Sequence, residues 1–98
     1  MTINYEKATD ALTVAPEGRL DSATSGELAD FLQKHFTAEI RGLTVDLAGV
    51  DFISSKGLRV LVSVYKTLDG RSMEITGANA SVREVFRLSG LLDALNVR

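Results

Sequence analysis

Two adjacent hydroxyls, Ser54 and Ser55, precede Lys56 and Gly57 in "DFISSKGLRVLV", where an extended stretch gives way to an amphipathic one. The unpaired N–H groups and the dipole of a helix start favour oxygen ligands and negative charge, so one serine reads as a helix cap. The other is open to a second use. A phosphate-cradling loop would need G-x-x-x-x-G-K-[ST], whereas here Ser55 comes before Lys56 and a glycine follows it. A serine hydrolase would need a base, and the single histidine, His35, has no recognisable partner spacing. Nor does His35 have a second metal-ligand candidate nearby, so it reads as a solvated histidine at a helix end. The carboxylates are scattered without a paired motif. The absence of cysteine excludes disulfides, thiolate metal sites and cysteine nucleophiles. These residues imply no catalysis, cofactor or metal.

The elements that must position these serines follow from periodicity. "ALTVA" (11–15), "LTVDL" (43–47) and "MEIT" (73–76) alternate apolar with polar or small residues, the pattern of strands that cover one face of a sheet. "INYE" (3–6) reads as an additional edge strand paired back through the "KATD" turn. Thr24 and Glu27 form a candidate capping box ahead of Leu28, Phe31, Leu32 and Phe36, predicting a first helix to about residue 36. A second helix is expected over about 55–68, stopped by the Asp69-Gly70 turn. A third starts near Asn79 or Ser81, turns Val82, Val85 and Phe86 inward, and ends with Gly90 as a left-handed C-cap. A short terminal strand falls in "ALNV". Strands joined through helices run parallel with right-handed crossovers, so the expectation is one α/β domain over residues 1–98. Its mixed sheet has four to five strands, and its helices pack mainly on one face.

On the second helix, the i, i+3, i+4, i+7 rule predicts a buried stripe of Leu58, Leu61, Val62, Tyr65 and Leu68. Lys56, Arg59, Ser63, Lys66 and Thr67 then face outward. Val60 falls almost opposite the stripe, with Val64 one turn on. β-Branched residues are not favoured at exposed helical positions. Val60, beside Ser55 and Gly57, is therefore either part of a surface kept for a partner or an ordinary single exposed apolar residue.

Composition narrows the function classes. Ninety-eight residues with 45% hydrophobic content fit one domain and leave no room for a second. A net charge of −2, with lysine and arginine scattered, argues against nucleic-acid binding. There is no basic region followed by an apolar run at the N-terminus. Nothing approaches the roughly 20 apolar residues of a membrane span, so a cytoplasmic protein without membrane insertion is expected.

Three stretches in order resemble the STAS family, the bacterial anti-sigma factor antagonists, over nearly the whole chain. "GRLDSATSGEL" (18–28) resembles the family's G-x-L-D, threonine and first helix. "LTVDLAGVDFISSKGLRVLV" (43–62) is similar to its strand, turn and serine-glycine-leucine helix start. "GANASVREVFRLSGL" (77–91) resembles its third helix and closing S-G-L. The resemblance implies a binding module that, unphosphorylated, sequesters an anti-sigma factor with GHKL-type serine kinase activity. That kinase phosphorylates a serine at the second helix start, and a PP2C-type phosphatase reverses the reaction.

Alignment on Gly57-Leu58 places the phosphoacceptor at Ser55. It implies a partner surface comprising Asp21, Thr24, Ser54, Ser55, Lys56 and Gly57, with Val60 and Val64 beside it. Where relatives commonly read D-S-S-G or D-S-T-G, this chain has Ser54 in place of the acid and Lys56 in place of the second hydroxyl. Lys56 can stabilise a phosphate or suit an acidic partner. The family usually adds a final strand and helix after "LNV", and apolar surface left without that helix would be met by a dimer; a monomer or weak homodimer is expected. Two other readings are a STAS domain serving a lipid-transport or membrane-transporter complex, with Ser55 only a cap, and a small-ligand carrier or enzyme using the loop around Asp21 and Ser55. The missing phosphate loop disfavours the last.

Overall fold

The computed structural model describes residues 1–98. Strands β1 (Thr2–Ala8) and β2 (Ala11–Leu20) form an antiparallel hairpin in register from Thr2 opposite Glu17 to Ala8 opposite Ala11. Thr9 opens its two-residue loop with φ of 55°, as the right-handed twist of paired strands favours. Both strands outrun the alternating segments that predicted them. β2 continues past Pro16 because that proline, which has no N–H to donate, lies where pairing with β3 has ended at Val14 and pairing with β4 begins only at Gly18.

After α1 (Thr24–His35), β3 (Gly42–Asp46) runs parallel to β2, and β4 (Val50–Ile53) pairs parallel with β2 further along. β4 is a strand that sequence periodicity did not reveal. Gly18 faces Val50 and Arg19 faces Phe52, so Asp51 is a bulged extra residue. The bulge puts the buried residues Val50 and Ile53 three apart, erasing the period of two. Helix α2 (Ser55–Lys66), strand β5 (Ser72–Thr76) and helix α3 (Ala80–Leu88) complete the regular elements. The sheet order is β1-β2-β3-β5, with β4 on β2. The expected terminal strand is a single parallel bridge between Val97 and Ile75.

One face of this sheet is dry. Leu12, Val14, Leu43, Val45, Met73 and Ile75 are buried beneath Leu28 and Leu32 of α1, Leu58 and Leu61 of α2, and Val82 and Phe86 of α3. The alternate residues Thr13, Thr44 and Glu74 are only partly covered. The fold is thus a single α/β domain with a five-stranded mixed sheet, as expected. The third helix closes as predicted: Gly90 takes φ of 72°, Gly90 N donates to Arg87 O, and Leu91 N to Phe86 O. α2 stops at Lys66 rather than 68, because the N–H groups of Thr67 and Leu68 tighten onto carbonyls three residues back before the Asp69-Gly70 turn.

Candidate functional site

β2 and β4 end side by side, with Leu20 opposite Ile53, and Ser54 N donates to Leu20 O at 2.8 Å. The turns leading into α1 and α2 are therefore neighbours. This pairing joins the Asp21–Thr24 turn to Ser54–Gly57, which lie 30 or more positions apart in the chain.

In the first turn, the Asp21 carboxylate accepts from Ala23 N and Thr24 N, each at 3.0 Å, while Thr24 Oγ1 accepts from Asp21 N at 3.0 Å. The Thr24 hydroxyl also bonds the Arg19 carbonyl. The expected Thr24–Glu27 capping box is not formed; Ala23, the N-cap of α1, has no capping side chain, and the reciprocal bonds lie three residues upstream, between Asp21 and Thr24 in the entry turn. An aspartate outranks a threonine as cap, and Glu27 instead meets the N-terminal amine of Met1 at 3.2 Å. The Thr24 backbone N–H, then the Thr24 hydroxyl, the Ala23 N–H and the Arg19 charge hold the Asp21 carboxyl below its usual value. Asp21 is thereby kept ionised at this turn. Ser25, fully buried, donates to Asp21 O at 2.5 Å and secures the same loop. No feature of the sequence had distinguished this serine from its neighbours.

In the second turn the two serines divide the work. Ser54 has extended backbone geometry, and its Oγ accepts from Gly57 N at 3.2 Å, so it is the N-cap of α2. Ser55, the first helical residue, is exposed, and its hydroxyl takes no part in the hydrogen bonds that hold this turn. Gly57 is buried under a steric constraint. A Cβ there would lie 3.0 Å from Ile53 Cγ1 and 3.2 Å from both Leu20 Cβ and Leu20 O. A side chain at this position would press the first turn of α2 against the strand ends at closer than ordinary contact.

Lys56 and Arg59 are exposed beside Ser55, and the first turn of α2 holds no acid. The four ion pairs of the fold lie elsewhere. A helix N-terminus with an adjacent lysine favours an anionic group.

Val60, which the helical wheel set almost opposite the buried stripe, is not fully exposed, nor is Val64 one turn on. Both are half-buried and line a groove against α1, because α1 packs beside α2 and widens its covered arc. Tyr65, assigned to the buried stripe, is instead 43% exposed. His35 does end α1, but it is only partly solvated: its ring stacks on Phe31 at 4.1 Å and lies 4.7 Å from Tyr5. It is at the opposite end of α1 from Thr24, about 17 Å along a helix of this length. It therefore has no access to Ser55 as a base. Among His, Cys, Asp and Glu, no group of three could hold a metal ion, and no helix is long and apolar enough to cross a membrane. The site offers an uncommitted hydroxyl on a positive helix end, with an ionised aspartate in the neighbouring turn.

The chain is similar to the anti-sigma-B factor antagonist of Listeria monocytogenes, with 27% identity over 95 residues, covering 95% of this chain and 83% of that protein. Its structure resembles the crystal structure of an anti-sigma factor antagonist from Mycobacterium paratuberculosis, with a TM-score of 0.90 at 23% identity over 98% of this chain and 83% of the other. The fold is shared with the anti-sigma factor antagonist SpoIIAA in its unphosphorylated form (TM-score 0.85, 16% identity, 99% of this chain and 88% of that one). It is shared too with the phosphorylated form of the Bacillus cell fate determinant SpoIIAA (TM-score 0.76, 15% identity, 99% and 91%). The model of the STAS domain matches residues 2–98, spanning both turns and all three helices, and the chain belongs to the STAS domain family.

Proposed function

We propose that the chain is an anti-sigma factor antagonist, acting in the cytoplasm as a binding module that phosphorylation of Ser55 switches off. In this reading it binds an anti-sigma factor with GHKL-type serine kinase activity when unmodified and so promotes sigma-dependent transcription. A PP2C-type phosphatase restores the binding state. The observation that carries the reading is the division of labour at α2: Ser54 caps the helix, leaving the exposed Ser55 hydroxyl uncommitted. Supporting it are relatives named as antagonists and a shared fold known in a phosphorylated form.

The switch is electrostatic. A phosphoserine adds about 1.5 to 2 negative charges, which the α2 N-terminus and Lys56 can accommodate in the free protein. At a packed interface the same charge is desolvated. An unpaired buried interfacial charge costs about 2 to 5 kcal/mol, or roughly 30-fold to several thousandfold in affinity.

The test is incubation with ATP and the cognate GHKL-type kinase, followed by mass-spectrometric mapping and affinity measurement. Phosphate is expected on Ser55. Ser55→Ala should bind the anti-sigma factor and resist the kinase, and Ser55→Asp should bind at least about 30-fold more weakly. Parent-like affinity of Ser55→Asp, or no phosphate from an otherwise active kinase, would overturn the switch.

A further inference from the structure

A groove of about 630 Å³ runs between α1 and α2. Its floor is apolar, formed by Leu32 of α1 and Phe36 at that helix's C-cap with Val60 and Val64 of α2. None of its eleven lining residues is acidic. At one end stand Lys56 and Arg59, exposed and outside every ion pair of the fold. At the other end Arg71 is already engaged: its guanidinium stacks on Phe36 at 4.0 Å and donates to the carbonyls of Leu68, Thr37, Ile40 and Thr67. Lys56 and Arg59 are therefore the cations left for a ligand.

Shape and charge together identify the occupant. The lining stretch from Lys56 to Thr67, α2 with its C-cap, extends about 17 Å, roughly three helical turns. A trough between two helices accepts a third through ridge-and-groove packing, with apolar anchors at helical spacing. Val60 and Val64, four residues apart, provide that spacing on the floor. The free cations and the absence of lining carboxylates select acids on the incoming helix.

We propose that this groove docks an acidic amphipathic helix of a partner protein, about three turns long. Its apolar stripe lies on Val60 and Val64, and its carboxylates meet Lys56 and Arg59. This deepens the antagonist reading and rests on it for one point only, the modification of Ser55. Lys56 follows Ser55 directly, so a phosphate there neutralises the cationic end of the groove and repels the acids the groove selects.

The experiment titrates the isotope-labelled full chain with a lactam-stapled helical peptide of roughly 14 residues, carrying a leucine stripe flanked by glutamates. A counterpart with every glutamate changed to lysine is titrated in parallel. The acidic peptide should shift amides over residues 29–36 and 56–67 and bind at least about tenfold more tightly than the basic one. Lys56→Glu combined with Arg59→Glu, with thermal unfolding unchanged, should reverse that preference, and Ser55→Asp should weaken the acidic peptide alone. Equal binding of both peptides, shifts confined to another surface such as the free edge of β1, or no shift at about millimolar peptide would overturn the proposal. So would concentration-dependent shifts at the groove without peptide, which would assign it to a second copy of this chain. An anti-sigma factor that binds while the acidic peptide leaves the groove unmoved would sink this inference and leave the antagonist reading standing. Groove binding of the peptide by a chain that binds no anti-sigma factor would do the reverse.

Discussion

Ser54 and Ser55 are chemically identical neighbours with different duties, and substitution should separate them. Ser54→Ala removes the acceptor for Gly57 N and should cost about 1 kcal/mol in urea unfolding. Ser55→Ala removes an exposed hydroxyl and should stay within about 0.5 kcal/mol of the parent. Asp21 predicts a pH dependence. Its carboxyl is held below the ordinary 3.8 chiefly by the Thr24 backbone N–H, so folding favours the charged form. That contribution is complete above the ordinary value and is lost as pH falls through the lower folded value. Thermal unfolding followed downward from about pH 5 should therefore fall less steeply for Asp21→Asn than for the parent. Glu39, lowered chiefly by the Thr37 hydroxyl, and Glu84, lowered by Arg87, titrate in the same sense, so the variant should flatten the acid limb without abolishing it.

At the scale of elements, the entry of α2 depends on Gly57. Gly57→Ala improves helix propensity by about 1 kcal/mol, but overpacking against the strand ends costs about 1 to 3 kcal/mol. One of the atoms crowding the new methyl is the Leu20 carbonyl oxygen, which cannot rotate away. A net loss is expected in urea unfolding, together with weaker partner binding as the Ser55 end of α2 lifts. The helices were legible in the sequence because each carries apolar residues at helical spacing, and the second and third also a recognisable stop. The start of α1 was legible at Thr24, but its hydrogen-bond partner was misassigned, because Asp21 and Thr24 are both competent acceptors and the sequence does not say which N–H groups the turn presents to them. β4 was illegible because a bulge at Asp51 broke its alternation.

For the whole molecule, Phe86 of α3 is fully buried among core residues from the strands and other helices. Phe86→Ala should cost about 3 to 5 kcal/mol, a large share of the 5 to 15 kcal/mol typical of a domain. The measured midpoint of thermal unfolding should drop by more than about 10 °C. The sequence by itself determined the α/β class, the one-sided sheet and three helices, since these rest on periodicity and short motifs that local chemistry dictates; Ser55 as the position to test came from the alignment on Gly57-Leu58 that the family resemblance supplies. Tertiary structure alone decided that Asp21 lies beside Ser54, that Val60 and Val64 face α1, and that Tyr65 is exposed. Parallel pairing of Leu20 with Ile53 creates the first, and the packing of α1 against α2 the second. A helical wheel ranks the faces of one helix, but which face is covered depends on neighbours that the chain supplies from elsewhere.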